Sequence, residues 1–305
     1  MSPVIEAHEL TKRYGRTTAV RNLTFTVRPG EVTGLLGPNG AGKSTTLQLI
    51  LGLLAPTSGS VRVGNRPPCE FPRGLHHIGA LLDTDDVYGG DTAAAHLSSL
   101  ARSNRIRGTR VEEVLAEAGL PKAAGRPIDG FSLCMRQRLG IATALLGDPP
   151  VLIFDEPLNG LDATGVAWAR SLFKRLAAEG RTVFVSGHRI SEMENTVDEL
   201  IVIGRGELLA AGSLAEFAAR HTRHSVLVRT PDATVLAEVL VLEGANVEWT
   251  GDQLLSVIGM SARHVGYLAF QNMVPVHELT PCSSSLEEAF IRLTAGSTAY
   301  PSEDT

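Results

Sequence analysis

No run of about 18 apolar residues occurs in the 305-residue chain, so a membrane-spanning helix is not expected. The opening stretch, MSPVIEAHELTKRYG, lacks the basic segment and apolar core of a signal peptide. Any membrane association is therefore expected to run through a partner. Cysteine is scarce. Cys69, Cys134 and Cys282 are odd in number and widely spaced, which argues against a disulfide framework or a zinc knuckle and for a cytoplasmic setting. Excess positive charge is also missing: the net charge of -5 and a pI near 6.0 speak against a nucleic-acid partner held by global electrostatics. No tandem repeat is visible.

What remains is an ordinary globular composition, 43% hydrophobic and 20% charged. The length suits one large α/β domain with an appendage, or two medium domains. The first 30 residues read as short antiparallel strands, ending at Pro29-Gly30. VTGLLG (32–37) is a buried strand, and STTLQLILGLL carries helical periodicity that PTSG (56–59) should end. SVRV is another strand, and the pattern from about 90 to 147 is helical. VLIF (151–154) and TVFVSG (182–187) are further buried strands separated by a helix, and 198–212 reads as a hairpin turning at Gly204–Gly206. Strands alternating with helices imply an α/β fold with a mostly parallel sheet.

Beyond about 220 the order becomes β-α-β-β-α-β, with strands at HSVLVRT, NVEWTGDQLLSVIG and VPVHELTP and a final amphipathic helix, SLEEAFIRLTAG. The expected division is a nucleotide domain over 1–220, a small α+β domain over 221–295, and a disordered tail over 296–305.

GPNGAGKST, Gly37 to Thr45, matches G-x-x-x-x-G-K-[ST] between a buried strand and a helix. Its glycines let backbone amides approach an anion that a Cβ would crowd. In such loops the lysine, here Lys43, bridges the outer phosphates and the hydroxyl, here Ser44, ligates Mg²⁺. Val151–Phe154 runs straight into Asp155 and Glu156, a carboxylate pair at a parallel strand's C-terminal edge. Asp155 suits a Mg²⁺ ligand acting through water or behind the direct ligands, and Glu156 can orient an attacking water. A lone Asp-Glu pair is often only a solvated strand end; the upstream phosphate loop favours the functional reading. His188 follows TVFVSG, and its place among strand ends makes it a candidate to touch the γ-phosphate and that water.

These motifs, in order over residues 1 to about 215, resemble the ATP-binding cassette (ABC) family, and specifically the ATPase subunit of drug- or antibiotic-exporting transporters. Tyr14 in LTKRYG matches the aromatic residue that stacks on adenine, GPNGAGKST is Walker A, FSLCMRQRL sits at the signature, VLIFDEP is Walker B, LNGLD (158–162) is the D-loop, and SGH ends in the switch histidine. SLEEAF and the small domain before it resemble the end of drug- and antibiotic-export subunits. The resemblance implies a P-loop fold with a RecA-like core, an antiparallel β subdomain and a helical subdomain. It implies ATP and Mg²⁺ as cofactors, with Tyr14, Val20, Gly37, Pro38, Asn39, Gly40, Ala41, Gly42, Lys43, Ser44, Thr45 and Asp162 at the nucleotide. Ser132 would reach it across a head-to-tail dimer, since a capped helix N-terminus offers amides and a positive dipole end. Met135, Leu139, Ala142 and Leu146 would form one face of that helix. A single cassette without a spanning segment implies a second copy and a separate membrane permease, with the subunit at the membrane's inner face.

Three positions depart from the family pattern. Asp83 replaces the usual Q-loop glutamine, as a candidate Mg²⁺ ligand; Leu158 opens the D-loop in place of threonine; Cys134 stands at a signature glycine. Cys134 would crowd the γ-phosphate, which leaves an alternative reading: an ATP-binding regulatory or resistance protein with weak hydrolysis.

Overall fold

The computed structural model describes residues 3–72, 74–82, 90–222, 224–283 and 285–295. The chain divides into two units, one running to Phe217 and also taking in Thr294 and Ala295, and one spanning Ala218–Leu293. The Q-loop residue Asp83 and the tail 296–305 lie outside the described residues.

The first unit opens with an antiparallel hairpin, β1 (Ile5–Tyr14) and β2 (Thr17–Val27). Then follow β3 (Val32–Leu36), α1 (Lys43–Ile50), β4 (Ser58–Val63), β5 (Ile78–Leu81), α2 (Ala93–Asn104), α3 (Thr109–Glu117) and α4 (Leu133–Leu145). The unit continues through β6 (Val151–Phe154), α5 (Ala163–Ala178), β7 (Thr182–Gly187), the single turn α6 (Ile190–Met193), β8 (Glu199–Gly204) and β9 (Glu207–Ser213). α7 (Leu214–His221) spans the division between the units.

Six strands form the central sheet in the order β5-β6-β7-β3-β8-β9, parallel except for β9. β3, β6 and β7 are buried along their whole length, which is why each reads as a continuous apolar run rather than an alternating one. β2, β1 and β4 make a second, antiparallel sheet. Alternating burial in β2 points Val20, Leu23, Phe25 and Val27 inward, into a core shared with Leu35, Ile153, Phe184 and Ile203 of the central sheet. Phe25 and Phe184 meet across it with ring centroids 6.0 Å apart. Each fully buried side chain of this size contributes about 1.5–3 kcal/mol of apolar transfer. On the opposite side, Phe173 of α5 packs on Phe154 at 4.8 Å.

The helical segment, α2 to α4, is tied to α5 by polar anchors. Trp168 Nε1 donates to the Glu117 carbonyl at 3.1 Å, and the Arg138 guanidinium lies 4.6 Å over the Trp168 ring. The expected mostly parallel sheet, antiparallel β layer and helical segment are all present.

One boundary and one strand of this unit differ from the sequence expectation. α1 stops at Ile50, well before PTSG, because Gly52 adopts φ 71 and Leu53 N–H returns to the Gln48 carbonyl at 3.0 Å. The four-residue edge strand β5 is too short to stand out from its irregular flanks.

The second unit comprises β10 (His224–Arg229), α8 (Ala233–Leu242), β11 (Asn246–Gly251), β12 (Leu254–Ile258), α9 (Ala262–Gln271), β13 (Glu278–Ser283) and α10 (Leu286–Thr294). Its sheet runs β11-β12-β10-β13, all antiparallel, the ferredoxin-like arrangement of a β-α-β-β-α-β order. Val226, Val228, Leu255 and Val257 of the sheet pack with Leu236, Leu240, Val265 and Leu268 of α8 and α9 in its own core. The last strand begins at Glu278 rather than Val274, whose N–H instead closes α9 on the Ala269 carbonyl.

Candidate functional site

The C-terminal ends of β3, β6 and β7 lie side by side, so the segments that follow them converge on one edge of the sheet. After β3 the chain turns through Gly37–Gly42 into α1. Gly40 and Gly42 take φ 78 and 99, and a Cβ on Gly42 would stand 2.4 Å from the Ala19 carbonyl oxygen. A Cβ on Gly37 would meet the Ile203 carbonyl at 2.6 Å. Only glycine fits these two positions. The loop thus forms a tight cradle at a helix N-terminus, with Asn39, Gly40 and Ser44 exposed at its mouth.

Lys43, 6% exposed, folds back over this loop. Its Nζ donates to the Gly37 carbonyl at 2.9 Å and the Pro38 carbonyl at 3.4 Å, and lies 3.6 Å from Glu156 Oε1. Burial pushes the ammonium below its ordinary range, and the charges of Glu156 and Asp155 oppose that shift only in part.

A second brace comes from the β8–β9 turn. Arg205 and Gly206 sit at φ 49 and 78; Gly206 N–H bonds the Ala41 carbonyl at 2.9 Å, and its own carbonyl accepts from Arg21 N–H at 2.8 Å. This turn locks the cradle to β2, where Val20 is fully buried. Tyr14 is half exposed at the end of β1, with the Lys12 ammonium over its ring, 5.2 Å from the centroid.

After β6 the acid pair is held tightly. Asp155 N–H bonds the Leu81 carbonyl at 2.7 Å, and its Oδ1 accepts from the Ser186 hydroxyl. Glu156 has φ 46, a left-handed conformation costing a non-glycine residue about 1–3 kcal/mol. Its Oε2 accepts from Asn159 Nδ2 and lies 3.3 Å from His188 Nδ1, although that pair is misaligned for a hydrogen bond. Lys43, Glu156 and His188 therefore meet at one carboxylate, brought there by three different strands. Sequence reasoning named all three. It does not single out Ser186 or Gln137, and it places the hairpin turn at Gly204–Gly206 without the contact that turn makes with Ala41.

The start of α4 follows the expected cap. Ser132 is exposed, and its Oγ accepts from Met135 N–H at 3.3 Å. Leu139, Ala142 and Leu146 are buried and Met135 is half-buried. Half-buried Cys134 lies in the first turn. Leu133 packs on Gly160, where a Cβ would lie 2.4 Å from its Cδ2. Gln137, buried, donates to the Glu156 carbonyl at 3.1 Å. Leu158 is buried, and Asp162 caps α5 by accepting from Gly165 N–H at 2.7 Å and the Thr164 hydroxyl at 3.0 Å. Those two bonds hold its carboxyl below the usual range.

A buried strand, a glycine cradle opening a helix, and an acid-bearing strand of the same sheet, separated from the first by β7 alone, together define a P-loop nucleotide hydrolase. Comparisons with known proteins narrow the class. Residues 20–159 match the ABC transporter family, and residues 224–287 match a domain family of unknown function. The bacitracin transport ATP-binding protein of Bacillus licheniformis is 35% identical, over 98% of this chain and 99% of that protein. The lantibiotic transport ATP-binding protein of Streptococcus pyogenes is 34% identical over 68% of this chain and 89% of its own. The dimeric structure of a post-hydrolysis ATP-binding cassette bound to ADP and phosphate superposes with a TM-score of 0.63. It shares 25% identity and covers 69% of this chain and 98% of its own. The chain belongs to the ABC transporter ATP-binding proteins and is an ATP-binding, ATP-hydrolysing subunit.

Proposed function

We propose that this subunit powers export of a peptide or other antibiotic-type compound through a separate membrane permease, by ATP-driven closure of a head-to-tail dimer. The observation that carries the reading is the meeting of Lys43, Glu156 and His188 within 3.6 Å at the mouth of the phosphate cradle. The direction and class of cargo rest on the end-to-end likeness to the bacitracin transport protein. Among the described residues no helix is long and apolar enough to cross a membrane, which fits a subunit held at the membrane's inner face by its permease.

In this reading ATP lies with its adenine on the Tyr14 ring beside Val20 and its phosphates in the cradle from Gly37 to Thr45. Lys43 draws charge from the outer phosphates. Glu156 orients the attacking water and accepts its proton; His188, beside the same carboxylate, holds the γ-phosphate side. Ser44 and Asp155 would hold Mg²⁺, which neutralises phosphate charge. Among the described residues no cluster of three His, Cys, Asp or Glu side chains could cage a metal. Mg²⁺ needs none, because it binds through one or two protein oxygens and the substrate's phosphates. The exposed Ser132, with the α4 N-terminus behind it, would face the γ-phosphate held by the second copy. Asp162 closes the D-loop beside it.

The test is tolerance to bacitracin in a sensitive bacterium expressing this chain with the polytopic membrane protein that co-purifies with it. The reading expects tolerance that Glu156→Gln abolishes. Unchanged sensitivity with the active pair would remove the bacitracin-like cargo, and failure to recover any polytopic partner would remove the transporter role.

A further inference from the structure

Two carboxylates at the end of β6 have separate duties in the proposed hydrolysis, and one buried hydroxyl touches both residues. Ser186, the penultimate residue of β7, is fully buried. Its Oγ donates to Asp155 Oδ1 and accepts from Glu156 N–H at 2.9 Å. A hydroxyl has one proton. Because Asp155 takes that proton, a lone pair is left to face the Glu156 amide, so the two bonds fix each other's direction. Across the same residue, the Glu156 carbonyl accepts from Gln137 Nε2 at 3.1 Å and from Asn159 N–H at 3.1 Å.

Glu156 is thus gripped at its amide and at its carbonyl while it occupies φ 46. A glutamate leaves that conformation when unrestrained, because its Cβ then escapes the crowding of left-handed backbone. Leaving it would rotate the carboxylate away from Lys43 Nζ, 3.6 Å off, and His188 Nδ1, 3.3 Å off. We propose that Ser186 and Gln137 are positioning residues for ATP hydrolysis, clamping the Glu156 backbone so that its carboxylate faces the phosphate cradle. Ser186 also sets the orientation of Asp155 relative to it. Gln137 stands on α4, five residues after Ser132, so the helix proposed to meet the second copy's nucleotide also grips the water-orienting glutamate. The inference rests on the reading of Glu156 given above.

The experiment compares wild type, Ser186→Ala, Ser186→Thr and Gln137→Met as full-length proteins, measuring kcat and KM for ATP hydrolysis, ATP affinity by fluorescent-analogue displacement, and thermal unfolding. Ser186→Ala is expected to lower kcat about 10–100-fold, the usual effect of removing a support behind a reactive group, with ATP affinity within about twofold. Ser186→Thr, which keeps the hydroxyl, is expected to restore most of the rate; Gln137→Met should lower kcat in the same sense. The clamp is overturned if Ser186→Ala keeps its kcat, if affinity falls in parallel with rate, or if Thr is no better than Ala. Should Ser186→Ala fail to fold, Gln137→Met decides, and an unchanged kcat there overturns the clamp. A wild type that binds ATP without hydrolysing it would instead defeat the functional reading itself, and the clamp with it.

Discussion

The Lys43 ammonium and the Glu156 carboxylate stand 3.6 Å apart, although they leave different strands and are separated by more than a hundred residues. A phosphate entering the cradle therefore meets a cation already aimed by two loop carbonyls and one carboxylate. The same carboxylate repels the incoming phosphate, and in the proposed mechanism it orients water against it. This balance of attraction and repulsion makes charge at these two positions the most informative quantity to vary.

Burial lowers the Lys43 pKa below 10.5, so its charge is lost earlier in alkali than an ordinary lysine's. ATP affinity is expected to fall roughly 10–100-fold as pH rises through that lowered value, the worth of a charge-assisted bond. Folding stability should move the opposite way. The unfolded chain binds the extra proton, so stability rises with pH between the lowered value and 10.5. Affinity titrations and chemical denaturation across this range would show both slopes, and an affinity that stays flat to pH 10.5 would contradict the assignment.

The Gly206 turn supplies a structural test. A Cβ there would stand 2.6 Å from the Ala19 carbonyl oxygen, at φ 78. Gly206→Ala is expected to destabilise the protein by about 1–3 kcal/mol and to weaken ATP binding, because the turn braces Ala41 in the cradle. Denaturant midpoints and nucleotide affinity measure both; an unchanged pair would show that the brace does not matter.

Much of this site was legible before the structure, and the reason is physical. A phosphate cradle needs glycines and a lysine at fixed spacing, and a buried parallel strand must read as an apolar run, so Gly37–Thr45 and Val151–Glu156 announce themselves locally. Ser186 and Gln137 do not. Each is an ordinary polar residue within an ordinary strand or helix, and its meaning arises only when folding brings it to Glu156 from 30 or 19 residues away. The end of α1 was misread for a similar reason. Apolar periodicity continues through Leu54, yet Gly52 takes the left-handed conformation that ends the helix.

Cys134 sits in the first turn of the Ser132-capped helix, where the family pattern has glycine. Cys134→Gly removes a Cβ and sulfur from the segment proposed to face phosphate, at a helix cost of about 0.5–1 kcal/mol. ATP turnover at saturating ATP is expected to hold or rise. A large loss would give the sulfur a positive role.

The most direct measurement is sedimentation of the Glu156→Gln protein with ATP and Mg²⁺, alongside its steady-state turnover. Removing the carboxylate's charge eases its repulsion of phosphate and its hold on Lys43, while hydrolysis would lose the proposed general base, worth about 10²–10⁴-fold. The account predicts a dimer that persists with intact ATP and turnover reduced by that amount. Monomers at every ATP concentration, or turnover equal to wild type, would contradict it.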